Sequence, residues 1–285
     1  MEQQCPQISH LAGSAMASVL GTDKALSLKA HSQRERRLKL QTHSLLSRSE
    51  SFSTQRIQTL ACIQDLNQHQ QVLAVLLVAE EGPVDGALAE AIWQGKRRPT
   101  GHLLPQTLIA QEGCLEAASF RAGRIMRIAV HPQQRRCGLG SRLLSQLKLD
   151  APMLGWDYLG SSFAASPDLL PFWQENGYRP VRLGQGRDLV SGCHAALVIQ
   201  GISESFGALQ SELQTRFQQQ LPLLLGRIYH DLEPELLLQL IETPDRCWQL
   251  SPQDRRDLHA FARHNRMLES CLIPLQKLLR CGVNR

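Results

Sequence analysis

The sequence predicts an α/β protein followed by a small all-helical C-terminal domain, and three observations carry that prediction. Strand-like and helix-like stretches alternate from about Arg56 to Gly201. Within them, "RIAVHPQQRRCGLGSRLLSQL" (Arg127–Leu147) runs from an apolar strand through a proline stop and a basic glycine loop into a leucine-striped helix. After Gly201 the pattern stays helical to the end.

Residues 1–50 form a basic N-terminal segment, expected to be poorly ordered. Between Lys24 and Arg48 lie seven Lys/Arg and a single acid, Glu35, which fits either a solvated helix or an RNA-contacting arm. "RIQTLACIQDL" and "QQVLAVLLVAEEG" then predict two short strands separated by the turn-prone "NQH". "GALAEAIWQGK" predicts a helix ending near Gly95. "RIMRIAVHP" predicts a strand with Met126, Ile128 and Val130 on one face. Pro132 stops that strand because it has no N–H to continue the ladder. A helix is expected from Ser141, with Leu143, Leu144 and Leu147 on its stripe.

"WDYLGSSFA" follows as a strand. "SPDLLPFWQENGY" follows as a helix with Ser166 as N-cap, Pro167 at its first position and Gly177 as its stop. "RPVRLG" and "CHAALVIQ" supply two closing strands, and the glycines of "LGQGRD" (Gly184, Gly186) suggest a turn. In the tail, "PELLLQLIE" and "RMLESCLIPLQKLL" carry leucine stripes, and Ser251-Pro252 marks a helix start.

The bulk properties set bounds. A chain of 285 residues with 42% hydrophobic residues can bury a core domain with appendages, and a net charge of +5 permits a polyanionic partner without demanding one. None of the eight cysteines forms a C-x-x-C pair, so no metal site is expected and the thiols are expected to be reduced. The N-terminus lacks the basic start of a signal peptide. The longest apolar run, Val72–Ala79, falls far short of the ~20 residues of a membrane helix. A soluble, cytoplasmic protein is expected.

The chemistry lies in Arg135-Arg136-Cys137-Gly138-Leu139-Gly140, an R-x-x-G-x-G pattern between strand and helix. Glycines let such a loop take left-handed conformations and turn successive N–H groups toward one point. The helix that follows adds unsatisfied N–H groups and the positive end of its dipole. With two arginines beside it, the best-matched ligand is a pyrophosphate. No G-x-x-x-x-G-K-[ST] occurs, so this is not a nucleoside-triphosphate loop, and a dinucleotide fingerprint would need a third glycine.

The strand "RIAVHP", this loop and the "PFWQENGY" helix resemble the coenzyme-A core of the GNAT acetyltransferases. "AIWQGKRRPTGHLLPQTL", "RIMRIAVHPQQRRCGLGSRLL", "DYLGSSFA", "LLPFWQENGYRPVRLG" and "SGCHAALV" occur in the order found in the tRNA(Met) cytidine acetyltransferase (TmcA) family, over about residues 70–200. The resemblance implies a GNAT-type central mixed β-sheet flanked by helices at 51–202, and a helical tail at 203–285 as a candidate tRNA-binding domain. It implies acetyl-CoA as cosubstrate and elongator tRNA(Met), at its wobble cytidine, as acceptor. Family members carry a helicase-like ATPase module ahead of the transferase domain. The resemblance covers only the transferase and tail, so ATP binding is not expected, and a separate helicase-like ATPase subunit is a candidate partner of a truncated or split member.

Carried over by position, Ile128, Ala129 and Val130 pair with the pantetheine arm. Arg135, Arg136, Cys137, Gly138, Leu139, Gly140 and Ser141 form the pyrophosphate loop, and Asp168 and Glu175 line the same pocket. Cys137 stands where relatives can carry an acid, and Glu175 where they can carry Arg. Many GNAT enzymes protonate the departing thiolate with a tyrosine; here Phe172-Trp173 occupies that stretch. Tyr178, Ser162 and His131 are the conceivable substitutes, and none is assigned as catalytic. Lys96, Arg97 and Arg98 are candidate RNA contacts or a plain solvated turn. Trp93, Phe163 and Trp173 are candidate stacking partners or core. A small-molecule or protein amine as acceptor, or a silent RNA- or CoA-binding remnant, remain the alternatives.

Overall fold

The computed structural model describes residues 17–21, 57–66, 69–241 and 249–283, with side chains at 72–241 and 249–278. The basic segment Lys24–Arg48 lies outside the described residues. In chain order the strands are β1 (Ala17–Gly21), β2 (Ile57–Leu66), β3 (His69–Glu81), β4 (Ala122–Val130), β5 (Tyr158–Ala164), β6 (Arg179–Arg187) and β7 (His194–Gly201). The helices are α1 (Gly86–Trp93), α2 (Leu103–Ala110), α3 (Leu139–Asp150), α4 (Leu169–Glu175), α5 (Glu204–Leu225), α6 (Pro234–Leu240), α7 (Pro252–Arg263) and α8 (Leu272–Val283). The α/β class and the helical C-terminal part expected from the sequence are both present.

The chain divides into two compact units, Met1–Glu80 with Arg124–Asp150 and Glu81–Gly123 with Ala151–Arg285. In the first, β1, β2 and β3 form an antiparallel ladder, Ala17 facing Ala61 and Ile57 facing Ala79, with a bulge at Cys62/Ile63. β4 bonds to β3. Every residue from Val72 to Ala79 in β3 is buried, which explains why it is a continuous apolar run rather than an alternation. In β4, Met126, Ile128 and Val130 share one face as expected and are half-buried, whereas Ile125 on the opposite face is the strand's buried large side chain and Arg127 is exposed.

The second unit builds an antiparallel sheet in which β7 lies between β5 and β6. Ile92, Leu104, Leu108, Ile109, Tyr158, Leu197, Ile199 and Phe206 share one core, in which Tyr158 stacks on Phe206 at 3.9 Å. Ser166 bonds at the helix start as expected, but α4 begins at Leu169, after Pro167 and Asp168, rather than at Pro167. The Ser166 Oγ and C=O accept from the Leu169 N–H, its C=O also accepts from the Leu170 N–H, and Gly177 closes the turn at φ +86°. The turn expected at Gly184 and Gly186 is instead strand. Both lie within β6, where the pairing is irregular between Leu183 and Arg187, so glycine here accommodates a bulge rather than a chain reversal.

A buried ion network holds the tail helices together. The Arg216 guanidinium on α5 donates to Asp254 at 3.1 Å and Asp257 at 2.6 Å, both on α7. Lys277 on α8 donates to Asp254 at 2.9 Å, and Arg266 lies 3.5 Å from Asp257. Gln253 extends the contact to residues 81–123 by donating to the Glu112 carbonyl at 2.9 Å. Asp254 also closes the capping box that Ser251 opens at the start of α7.

Two predictions follow from this network. Asp257→Ala leaves buried Arg266 without its acid and Arg216 with Asp254 alone, and is expected to cost about 3–5 kcal/mol, measured by urea unfolding. Burial tends to raise the Asp254 carboxyl, but the hydrogen bonds from Lys277 and Ser251 outweigh it and hold the carboxyl below its usual range. The stability Asp254 contributes is therefore complete above about pH 4 and lost as pH falls through the lowered value. In Asp254→Asn the acid limb of a stability–pH profile should flatten.

Candidate functional site

β4 ends where its geometry requires. The His131 N–H donates to the Leu73 carbonyl on β3 at 2.7 Å, and Pro132 opens a short 3-10 turn, Pro132–Gln134. The His131 backbone thus makes the last bond of this strand end. Ile128, Ala129 and Val130 are half-buried on the final stretch of β4.

Past the turn, two residues take left-handed backbone conformations, Arg136 at φ +60° and Gly138 at φ +76°. Glycine does so freely; for arginine the conformation costs about 1 kcal/mol. α3 starts at Leu139, two residues before the expected Ser141, so the last two positions of the R-x-x-G-x-G motif lie in its first turn. The Gly138 carbonyl accepts from the Arg142 N–H at 3.0 Å, which makes Gly138 the N-cap of the helix. Having no side chain, it leaves the first-turn N–H groups of Leu139, Gly140 and Ser141 without the oxygen that Ser or Asp would bring to such a position.

The corner is open and cationic. A Cβ built on Gly138 would meet no protein atom within 4 Å, so its surroundings stand clear for a ligand. Arg135, Arg136 and Gly138 are exposed, whereas Leu139, Leu143, Leu144 and Leu147 are buried and fix the helix axis. Twelve residues of helix dipole thus end on first-turn amides flanked by guanidinium groups, an arrangement suited to a phosphate. Cys137 sits half-exposed among them with its thiol 3.6 Å from the Arg135 carbonyl. Motif matching stopped at Ser141 and so missed Arg142, exposed one position further along the first turn. The only sequence signal for it is a third arginine following the glycines.

Asp168 and Glu175, the other predicted coenzyme contacts, belong to the second unit. Both are exposed, Asp168 directly before α4 and Glu175 at its last position. Lys96, Arg97 and Arg98 are all exposed in the turn after α1.

Two of the three stacking candidates are corrected. Trp93 and Trp173 are only 6% and 4% exposed, so neither offers a face to a base. Trp173 is occupied by Phe163, which stacks on it at 5.4 Å and is itself half-buried. Tyr178 packs edge-on against Trp173; its ring is wholly buried and burial pushes its phenol far above the usual range. It holds its proton at any ordinary pH, and no described group reaches its hydroxyl. Ser162 is exposed on β5. Among the described residues no cluster of His, Cys, Asp and Glu could hold a metal ion, and no helix is long and apolar enough to cross a membrane.

Comparison with known proteins bears on the same residues. The family model for GNAT acetyltransferase 2 matches residues 53–150 and 148–203, which include the whole β4–α3 corner. The tRNA(Met) cytidine acetyltransferase TmcA of Nitrosococcus halophilus is 41% identical over 209 residues, covering 73% of this chain and 28% of that protein. The TmcA of Pyrococcus abyssi is 36% identical over 174 residues, covering 61% of this chain and 21% of that one. The chain therefore spans less than a third of the length of these relatives. Among solved structures, Arabidopsis thaliana NAA60 in complex with a bisubstrate analogue is 12% identical at a TM-score of 0.41, covering 66% of this chain and all of that one, a likeness too low to add to the fold argument.

The corner gives a direct prediction. Gly138→Val forces a β-branched residue to φ +76° and fills the open space before the amides. Affinity for coenzyme A, measured by calorimetry, should fall by at least about tenfold, or 1.4 kcal/mol. Unchanged affinity would remove the corner from the binding site.

Proposed function

The chain belongs to the GNAT acetyltransferase 2 family, and from that membership we propose that it binds acetyl-CoA at the β4–α3 corner and acetylates the exocyclic amine of an RNA cytidine, the wobble cytidine of elongator tRNA(Met). The carrying observation is the corner itself: left-handed Arg136 and Gly138, an uncapped helix start and open space before it, within the residues the family model matches. The acceptor is taken from what the relatives are, tRNA(Met) cytidine acetyltransferases.

Acetyl-CoA supplies the activated acyl group as a thioester: the amine nitrogen bonds to its carbonyl carbon, the C–S bond breaks and the thiolate departs. The chain's contribution is placement. The Leu139–Ser141 amides and Arg135 and Arg136 would hold the diphosphate, Ile128–Val130 would offer backbone to the pantetheine arm, and Asp168 and Glu175 complete the proposed contacts. A cytidine amine is already neutral at pH 7, so no base is required before attack. Its lone pair is delocalised into the ring, and orientation and oxyanion stabilisation therefore carry most of the acceleration. The proton shed by nitrogen and the one taken up by the thiolate balance. No residue is assigned to carry either.

The exposed Lys96, Arg97 and Arg98 are proposed to contact RNA phosphates, and 203–285 to act as an RNA-gripping tail on the 51–202 transferase domain. One observation favours a second reading. With Trp93 and Trp173 buried, two of the three candidate base-stacking rings are unavailable, which suits a GNAT enzyme acting on a small-molecule or protein amine.

Incubation with acetyl-CoA and a tRNA(Met) transcript, followed by mass spectrometry of the nucleosides, separates the two. N4-acetylcytidine is the expected product; unmodified tRNA alongside an acetylated polyamine or peptide would transfer the assignment to the second reading. Replacing Lys96, Arg97 and Arg98 by Ala should weaken tRNA binding and flatten its log–log salt slope by about 2 units. An unaltered slope would make these residues plain surface.

A further inference from the structure

Two stretches more than 160 positions apart in the chain meet at the basic turn after α1. The Asn265 N–H, just beyond α7, donates to the Gln94 carbonyl at 3.1 Å. Gly95 is held at φ +75°, and a Cβ there would lie 2.8 Å from the Asn265 carbonyl oxygen. Beside this seam the Arg266 guanidinium lies 6.0 Å from the centroid of the Trp93 ring, and the His264 ring lies 6.4 Å from Trp93 and 5.9 Å from His259. The end of α7 is thus fixed against the turn that carries Lys96, Arg97 and Arg98.

The charge at this seam is one-sided. Residues 93–102 and 258–267 contain no Asp or Glu. Of the nearest acids along the chain, Glu90 accepts from Gln94 at 2.6 Å, Asp257 is buried against Arg216, and Glu269, half-buried, lies two residues beyond Met267. Lys96, Arg97, Arg98 and Arg263 are exposed, and among the described residues none of the four pairs with an acid. Some other arginines of this unit do pair with acids: Arg182 with Glu112, Arg187 with Asp231 and Arg256 with Glu116. His259 is exposed and His264 half-exposed, adding ring N–H donors.

We infer that Arg263, His259 and His264 at the end of α7 join Lys96, Arg97 and Arg98 in a single phosphate-binding strip for an RNA backbone, with Gly95 and Asn265 as the joint that aligns its two halves. The inference rests on the RNA reading above and adds to it residues of the tail and the contact that positions them. Four unpaired cations without an intervening acid fit a run of phosphates. The strip presents no exposed Phe, Tyr or Trp ring, so it grips backbone rather than reading bases.

Fluorescence anisotropy of a labelled tRNA(Met) transcript over a salt series tests it with the full chain. Arg263→Ala should make the log–log slope shallower by about one unit, and Arg263→Lys should restore it. Arg255→Ala removes an equal charge from the same helix, about 12 Å toward its N-terminus, and should leave the slope as it is. Gly95→Ala removes no charge, yet should weaken tRNA binding several-fold while coenzyme A affinity is retained. If Gly95→Ala fails to fold, the Arg263 pair of variants still decides. A slope unmoved by Arg263→Ala overturns the strip and leaves the RNA reading standing. Coenzyme A binding with no tRNA binding by the unaltered chain overturns both. Displacement of tRNA by poly-aspartate at equal charge concentration would assign the strip to acidic protein and overturn it as an RNA site.

Discussion

A helix cannot satisfy the N–H groups of its own first turn, and the β4–α3 corner leaves that debt open on purpose-shaped backbone. Gly138 takes the N-cap position, where Ser, Asp or Asn would bring an oxygen of their own, and brings nothing. Arg136, held left-handed at φ +60°, keeps a charged side chain where glycine would be more comfortable. Each choice sacrifices a little stability, and both make sense if an outside anion completes the helix. Four buried leucines of α3 keep the amides aimed while the corner waits. Everything proposed about acyl transfer depends on that arrangement.

The second unit solves a different problem with buried charge. Arg216, Asp254, Asp257, Arg266 and Lys277 tie three helices together where an apolar core could have done so at similar energy. Directional pairs fix which helix end lies where. The end of α7 is thereby seated beside the turn after α1, and Gly95 admits the close backbone approach that this requires. Rigidity of this kind has a use if the exposed arginines must match a spacing of phosphates.

Much of this was legible in the sequence, and the failures have identifiable causes. β2, β3, the corner, and the Ser166 and Ser251 helix starts were marked by local signals: apolar runs, a strand-stopping proline and capping residues. The start of α3 was placed late because Leu139 and Gly140 look like loop when the motif is taken as one block; burial of Leu139 draws them into the helix. Gly184 and Gly186 suggested a turn because glycine spacing cannot distinguish a reversal from a bulge within a paired strand. α2 went unread because Leu104, Pro105, Leu108 and Ile109 are all buried, which blurs the apolar stripe; α5 was legible only as part of a helical tail, without bounds, because Arg216, Gln218 and Gln220 are buried polar residues. In the site, the motif gave the residue types but not the conformations. The pairing of the turn after α1 with the end of α7 has no sequence signal at all.

The most direct test of the corner is an amide-resolved NMR titration of the 15N-labelled protein with coenzyme A, compared with dephosphorylated pantetheine. The account predicts that the N–H resonances of Gly138, Leu139, Gly140 and Ser141 shift together on adding coenzyme A and stay in place with pantetheine. Coenzyme A binding that moves resonances elsewhere and leaves these four unchanged would contradict it.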